Sequence, residues 1–142
     1  MQSVATDGIP RITKTTLIMK THIFPFTIAY ADTDAEGIVY HARYLEIAER
    51  ARMNWLRGKL NIGDDVGFVV RELNIKYLHP LQVTDEFVVE TAMTDVGMAS
   101  VRVEQKFVKD GIISAIINLK VAYLGADLRP KKIPQEFIKD LI

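Results

Sequence analysis

The sequence predicts an α+β fold in which one long helix is wrapped by a curved antiparallel sheet of about five strands. Three observations support this prediction. Residues 40 to 60 carry apolar side chains at the helical period of about 3.6 residues. The stretches on either side alternate apolar and polar residues, as strands do. The chain has 142 residues, which fits one domain with a sizeable core.

The predicted helix runs from Tyr40 to Leu60, and Gly58 stands near its end, where a residue at positive φ can close a helix. Its apolar face covers more than half of the circumference and comprises Tyr40, Tyr44, Leu45, Ile47, Ala48, Ala51, Trp55 and Leu56. So wide an apolar arc is typical of a helix that is buried on more than one side. We therefore expect the sheet to curve round it.

The first strand is predicted after Pro25, with Phe26, Ile28 and Tyr30 on one face. Proline has no amide hydrogen for the ladder, so it indicates an edge or an end of the sheet. Four consecutive antiparallel strands are predicted in the stretches RELNIKYL, EFVVETAMTDVG, SVRVEQKFV and IISAIINLKVAYL. The dipeptide Asp110-Gly111 predicts a hairpin between the last two.

The final stretch, residues 133 to 142, predicts a short terminal helix. The only long helix therefore lies between the first and the second strand, and it alone can fill the concave face of the sheet. This order of elements indicates a fold of the hotdog type.

Composition excludes several functional classes. The 18 basic and 18 acidic residues cancel, which disfavours nucleic acid and anionic membranes as partners. The absence of cysteine excludes disulfides, thiolate metal sites and a cysteine nucleophile. No apolar run is long enough for a membrane span and no signal peptide is recognisable, so we expect a cytoplasmic protein. We expect residues 1 to 18 to be a disordered extension and residues 19 to 142 to form one domain.

The motif DTDAEG, residues 32 to 37, lies between the first strand and the helix. It fits the start of a calcium loop, but Arg43 stands where the closing glutamate is required, so a calcium site is excluded. Asp34 instead precedes a helix N-terminus, whose free N–H groups and dipole stabilise negative charge on an oxygen. A carboxylate there suits acyl transfer, as general base or nucleophile. Taken alone, a helix cap is the commoner role.

The stretch YADTDAEGIVYHARYLEIAERAR, residues 30 to 52, resembles the signature of the 4-hydroxybenzoyl-CoA thioesterase family. The likeness is greatest to the branch of Tol-Pal-associated acyl-CoA thioesterases, and it extends more weakly over residues 23 to 135. The resemblance implies a hotdog enzyme that hydrolyses acyl-coenzyme A to a carboxylate and free coenzyme A, without a metal or another cofactor. It also implies a homodimer or homotetramer with active sites between subunits. An acyl carrier protein and the Tol-Pal system are partners suggested by the resemblance only.

The resemblance assigns roles to single residues. The catalytic carboxylate of the family corresponds to Asp34, and the oxyanion donor corresponds to the backbone N–H of His41. Whether the carboxylate attacks the thioester or activates a water molecule is left open. The substrate-binding residues expected beside them are Gly37, Ile38, Val39, Tyr40, Tyr44 and Ser100.

Several of these residues have simpler alternatives. Tyr40 and Tyr44 lie on the apolar face of the helix, where core packing is the commoner role. In some family members, arginines beside the turn after the third strand hold the nucleotide of coenzyme A. The corresponding stretch here, GMAS, has no arginine, so Ser100 is only a candidate contact. A basic cluster after the last strand either binds the phosphates of coenzyme A or is a solvated tail; it comprises Arg129, Lys131 and Lys132.

Polar residues near the helix are given structural roles. We expect Asp32 to anchor backbone N–H groups of its loop. We expect Glu49 and Arg52, one helical turn apart, to form an ion pair. Gln105 interrupts an apolar strand face, so it requires a buried partner or a polar subunit contact, and the latter suits an oligomer.

Two other functions are compatible with the pattern. One is a hotdog module that binds acyl-CoA without hydrolysing it, as a sensor or scaffold, although the intact motif around Asp34 favours an enzyme. The other is a hotdog dehydratase, which needs a histidine acting with an acid, and His41 has no evident placement for that. No helix-turn-helix or basic segment indicates a transcription regulator.

Overall fold

A computed structural model describes residues 20 to 59, 62 to 139 and 141 of the chain. The predicted extension, residues 1 to 18, lies outside this part. The described elements are, in order, strand β1 (His22–Thr27), a 3₁₀ turn (Tyr30–Asp32), helix α1 (Arg43–Trp55), strands β2 (Gly67–Tyr77), β3 (Glu86–Val96), β4 (Ser100–Lys109) and β5 (Ile112–Leu124), and helix α2 (Gln135–Lys139).

The strands form one antiparallel sheet in the order β1-β3-β4-β5-β2, which confirms the predicted five-stranded sheet. Strands β3, β4 and β5 are neighbours in sequence and in space. Strand β2 pairs with β5 and forms one edge, while β1 pairs with β3 and forms the other. Pro25 therefore lies in an edge strand, as its missing amide hydrogen predicts.

Helix α1 is shorter than predicted: it has 13 residues, from Arg43 to Trp55, so the expected long central helix is not found. At its start the Tyr40 N–H donates to the Asp32 carbonyl, which holds residues 40 to 42 in the loop connection. At its end the Lys59 N–H donates to the Leu56 carbonyl, and Gly58 has a φ of 79°. Gly58 thus closes the helix region as the sequence predicts.

The buried face of α1 is narrower than the predicted apolar arc. Tyr44, Ile47, Ala48 and Ala51 are buried against the sheet. Tyr40 and Leu45, which the pattern places on the same face, are 49% and 38% exposed. Tyr40 precedes the first helical residue, so it does not follow the helical period.

The first strand ends earlier than predicted. Phe24, Phe26 and Ile28 point inwards, but Tyr30 is 84% exposed because the chain turns into a 3₁₀ conformation there. At the far end of the sheet the Asp110-Gly111 hairpin is confirmed, since both residues have the positive φ, 51° and 77°, that a type I′ turn requires. The short terminal helix is confirmed as α2, which buries Phe137.

The core lies between α1 and one face of the sheet, and a buried hydrogen-bond network crosses it. Gln105 is 0% exposed and donates through Nε2 to the Ala48 carbonyl at 3.0 Å and to Thr91 Oγ1 at 3.0 Å. Arg52 Nη1 donates to Gln105 Oε1 at 3.1 Å. Of the two expectations for Gln105, the buried partner is therefore correct and a subunit contact is not needed.

The expected contact between Glu49 and Arg52 is not formed, because the Arg52 guanidinium turns inwards to Gln105. Glu49 is exposed and acts on Arg52 only through its charge, which raises the pKa of Arg52. Burial has the larger effect and lowers that pKa.

Candidate active site

The segment between β1 and α1 is a tight loop closed on itself by hydrogen bonds. The Asp34 N–H donates to the Ile38 carbonyl at 2.8 Å, and the Gly37 N–H donates to the Asp34 carbonyl at 3.0 Å. Thr33 and Val39 form an isolated antiparallel bridge across its base. Gly37 has a φ of 82°, a conformation that suits glycine, so the loop requires it for its shape.

Asp34 presents its carboxylate at the tip of this loop. The side chain is exposed, and Oδ1 accepts a hydrogen bond from the Glu36 N–H at 2.8 Å. This bond holds the carboxylate in a defined orientation. Oδ2 has no hydrogen-bond donor among the residues that the structure describes.

Asp32 fastens the loop to the start of the helix. It is 4% exposed, and its carboxylate accepts hydrogen bonds from the Ala29 N–H at 2.8 Å and from Arg43 Nε at 2.8 Å. Its carbonyl accepts the Tyr40 N–H at 3.1 Å. The hydrogen bond with Asp32 raises the pKa of Arg43. The prediction that Asp32 anchors nearby N–H groups is confirmed.

His41 lies in the turn that leads into α1, two residues before the first helical residue. Within residues 20 to 59, 62 to 139 and 141, its backbone N–H donates to no acceptor. Its carbonyl accepts a hydrogen bond from Tyr77 Oη at 2.8 Å. An exposed N–H beside a helix N-terminus is suited to bind an oxygen that carries negative charge.

A cleft of about 320 Å³ brings five of the predicted site residues together. It is lined by Asp34, Ile38, Val39, His41, Tyr44, Tyr77, Leu78, His79 and Pro80. The loop, the start of α1 and the end of β2 thus enclose one volume. Asp34 and His41 therefore line the same small space.

Three predicted substrate-binding residues do not line this cleft. Gly37 shapes the turn without lining the cleft, and the half-exposed Tyr40 ring lies beside the His41 ring, with 4.5 Å between centroids. Ser100 pairs with Ala122, which in turn pairs with Val69 near the start of β2. The cleft is at the other end of β2, about 26 Å along an extended strand from Val69.

Tyr44 has both of the roles that the sequence left open. It is 3% exposed and packs edge-on against Tyr77 and Phe107, with ring centroids 5.3 Å and 5.1 Å away. It also lines the cleft. Burial raises the pKa of Tyr44, and a hydrogen bond with the Leu81 backbone partly offsets this. Tyr44 therefore presents a neutral hydroxyl at neutral pH.

The sequence interpretation missed the far wall of the cleft, which consists of Tyr77, Leu78, His79 and Pro80. This wall is fixed by strand pairing, because the Leu78 and His79 N–H groups both donate to the Ser114 carbonyl, at 2.8 Å and 3.0 Å. In the sequence, His79 and Pro80 indicate only where the preceding strand pattern ends. Its position opposite Asp34 depends on the order of the strands.

The basic cluster after β5 is partly engaged elsewhere. Lys131 Nζ contacts both carboxylate oxygens of Asp65, at 2.9 Å and 3.1 Å, and Tyr123 Oη donates to the same carboxylate at 2.7 Å. Burial, followed by the Asp65 contact, raises the pKa of Tyr123 to about 12. All three basic residues are exposed, but within the described part of the chain only Lys131 forms an ion pair, and we call its contact with Asp65 and Tyr123 a structural clip.

In the described residues, no helix is long and apolar enough to cross a membrane.

Comparison with known sequences matches residues 28 to 141 to the model of the thioesterase-like superfamily. The chain is 36% identical over 121 residues to the acyl-CoA thioesterase YbgC of Haemophilus influenzae, covering 80% of this chain and 88% of that protein. It is 29% identical over 131 residues to the acyl-CoA thioester hydrolase YbgC of Escherichia coli O6:H1, covering 86% and 98%. These matches confirm the resemblance seen in residues 30 to 52.

Solved structures show the same fold. A probable thioesterase from Bartonella henselae superposes with a TM-score of 0.74 at 28% identity, covering 81% of this chain and all of that one. A thioesterase from Thermus thermophilus, solved with coenzyme A and zinc, gives a TM-score of 0.74 at 25% identity, covering 84% and 90%. The hotdog arrangement predicted from the sequence is thereby confirmed. The chain belongs to the thioesterase-like superfamily.

Proposed function

We propose that this protein is an acyl-CoA thioesterase in which Asp34 and the backbone N–H of His41 carry the reaction. The observation that carries the proposal is their convergence: Asp34 and His41 line one cleft of about 320 Å³, and the His41 N–H donates to no acceptor among the described residues. Relatives that bear the name acyl-CoA thioesterase support the choice of substrate class.

In the proposed reaction the thioester carbonyl oxygen accepts a hydrogen bond from the His41 N–H. As the carbonyl carbon is attacked, this oxygen gains negative charge, which the N–H and the positive end of the α1 dipole stabilise. The carbon–sulfur bond then breaks, and the sulfur leaves as the thiol of free coenzyme A after taking a proton. The acyl group leaves as a carboxylate.

Asp34 supplies the attack in one of two ways. As a general base, it takes a proton from a water molecule, which attacks the carbonyl. As a nucleophile, it attacks directly, and water then hydrolyses the resulting anhydride. A single turnover in ¹⁸O-water tests the nucleophilic route, because label enters the Asp34 carboxylate only when the anhydride has formed and water attacks its Asp34 carbonyl carbon. Neither route needs a metal or a cofactor, since coenzyme A is part of the substrate.

The proposal includes a homodimer that is joined through β2. This strand has 11 residues and forms an edge of the sheet, and its exposed apolar residues include Val70, Leu73 and Tyr77. So long and apolar an edge favours pairing with another strand. In an antiparallel β2–β2 pair, the start of the partner's β2 lies beside the cleft at the end of this one. Ser100 of the second copy would then approach the cleft.

The remaining expectations about substrates and partners rest on the family resemblance alone. They are an acyl carrier protein as alternative carrier, a homotetramer instead of a dimer, and a link to the Tol-Pal system. A cytoplasmic location is proposed on the sequence pattern described above. Arg129 and Lys132 are exposed and are the proposed contacts for the phosphates of coenzyme A.

The test measures hydrolysis of acyl-CoAs from acetyl to palmitoyl, and of benzoyl-CoA. The release of free thiol is the readout. We expect turnover by the wild type that depends on Asp34, with Asp34→Asn as the matched variant. No turnover of any ester, with acyl-CoA bound equally by both proteins, would replace the proposal by that of a binding module.

A further inference from the structure

A second cavity lies between the C-terminal half of α1 and the sheet. Its volume is about 350 Å³, at the lower end of the range for small-molecule sites. Most of its wall is apolar, and the lining residues used below are Glu49, Arg52 and Trp55. None of its lining residues lines the cleft that contains Asp34.

One cation, Arg52, lines this mostly apolar cavity. Arg52 donates through Nη1 to the fully buried Gln105, which is itself held by Thr91 and the Ala48 carbonyl. The guanidinium is therefore held in place by a buried network. Its Nε and Nη2 groups have no hydrogen-bond acceptor among the described residues.

The charge of Arg52 is only weakly compensated. Glu49 is the only carboxylate among the cavity's lining residues, and it is exposed and does not form an ion pair with Arg52. Burial lowers the pKa of Arg52, which shows that its charge is poorly solvated. A half-buried cation with free donors favours an anionic ligand, and a carboxylate matches the planar guanidinium in geometry.

We propose that this cavity binds a medium-chain fatty carboxylate, with the apolar chain in the cavity and the carboxylate on Arg52. Within one chain the cavity is separate from the cleft, because Arg52 lies about 14 Å along α1 from the first helical residue. In the β2–β2 dimer proposed above, the start of β2, which lines the cavity, lies beside the cleft of the other copy, and the Asp34→Asn titration described below distinguishes the two sites. The proposal does not depend on thioesterase activity. If both proposals hold, the ligand resembles the product of hydrolysis, and the cavity is a second site for it.

Trp55 provides a direct probe, because it lines the cavity and is the only tryptophan of the chain. The experiment is titration of the full chain with decanoate at neutral pH while Trp55 fluorescence is recorded. We expect a saturable change. Decanol, which has the same chain and no charge, should bind at least about tenfold more weakly, since a charge-assisted contact is lost.

Variants test the role of the cation. Arg52→Gln removes the charge but keeps an amide that can bond to Gln105, so it should fold and bind decanoate at least about tenfold more weakly. Arg50→Gln is the matched control on the same helix, because Arg50 is exposed and contacts Glu46 at 3.5 Å; its affinity should match the wild type. Glu49→Gln removes the competing negative charge and should not weaken binding.

Three results would overturn the proposal. The first is the absence of any saturable change in fluorescence. The second is equal affinity of the wild type and a folded Arg52→Gln protein, or of decanoate and decanol, which would make the cavity a purely apolar void. The third is loss of the Trp55 response in Asp34→Asn, which would place the carboxylate in the cleft instead. Thermal unfolding of each variant establishes that it is folded.

Discussion

At the scale of single residues, the two carboxylates of DTDAEG have different environments although only one residue separates them. Asp32 is buried and bonded to a backbone N–H and to Arg43, whereas Asp34 is exposed with one oxygen free. A buried, fully paired carboxylate serves structure, and a free one at a cleft can react. The 3₁₀ turn that ends at Asp32 places the first carboxylate inwards, and the loop that follows leaves the second exposed.

Asp32→Asn is expected to lower stability more than chemistry. The substitution removes the carboxylate that Arg43 Nε contacts, leaves Arg43 only its ion pair with Glu46, and weakens the hydrogen bond from the Ala29 N–H, which costs about 1 to 3 kcal/mol. Urea unfolding of the wild type and the variant measures this cost. As the control, Asp34→Asn should change the free energy of unfolding by much less, because Asp34 is exposed. Equal destabilisation by both would contradict the assigned roles.

At the scale of elements, Tyr77 links the end of β2 to the turn before α1. Its hydroxyl donates to the His41 carbonyl at 2.8 Å, so it orients a residue that lines the cleft. Sequence analysis did not find this residue as part of the site. The alternating strand pattern is equally consistent with Tyr77 as an ordinary packing residue. Only the pairing of β2 with β5 brings Tyr77 beside His41.

Tyr77→Phe should reduce kcat several-fold and leave the ring contact with Tyr44 in place. The His41 turn loses one hydrogen bond, so the N–H donor is less well positioned in the transition state. Steady-state kinetics separates kcat from KM, and KM should change little. Tyr40→Phe is the control, because that half-exposed ring makes no hydrogen bond within the described part of the chain. Equal losses in both variants would argue against positioning by Tyr77.

A second link between elements is the clip that joins Asp65 to Lys131 and Tyr123. The hydrogen bond with Lys131, and then the one with Tyr123, lower the pKa of Asp65 in the folded state. A lowered folded-state pKa stabilises the protein above the unfolded-state pKa of about 4, and this contribution is lost as the pH falls through the folded value.

Asp65→Asn should therefore lower Tm at pH 7 and have a smaller effect on Tm at acidic pH, where the wild-type carboxylate is protonated. Thermal unfolding monitored by circular dichroism across this pH range measures the difference. Asp64→Asn is the matched control, because Asp64 is the preceding residue and its side chain is exposed. A difference in Tm that widens towards acid would contradict the sign of the shift.

At the scale of the whole molecule, the sequence predicts the five strands and the loop before α1 well. It predicts the length of the helix and the order of the strands in the sheet less well. Alternation and the Asp110-Gly111 turn identify β3, β4 and β5 correctly, because their pairing is local. The predicted helix is too long, because the period of the apolar residues does not reveal that the Asp32 carbonyl holds the Tyr40 N–H in the loop. The placement of β2 beside β5 depends on long-range pairing that no local pattern reports.

The exposed β2 edge predicts a homodimer that is needed for activity. Leu73→Glu introduces a charge on this edge and should shift the protein towards monomer in light scattering, with a parallel loss of turnover. Ile23→Glu is the control on the opposite edge strand, where an exposed apolar residue of β1 is replaced in the same way. A fully active monomer would show that each cleft is complete within one chain.

The central claim is that the Asp34 carboxylate drives hydrolysis in the cleft it shares with the His41 N–H. The most direct measurement is kcat of Asp34→Asn against the wild type on the best acyl-CoA, with acyl-CoA affinity measured alongside. The account predicts a fall in kcat of about 10²- to 10⁴-fold, the range for removal of a positioned acid–base group, with affinity little changed. A variant that retains wild-type kcat would contradict the assignment of Asp34.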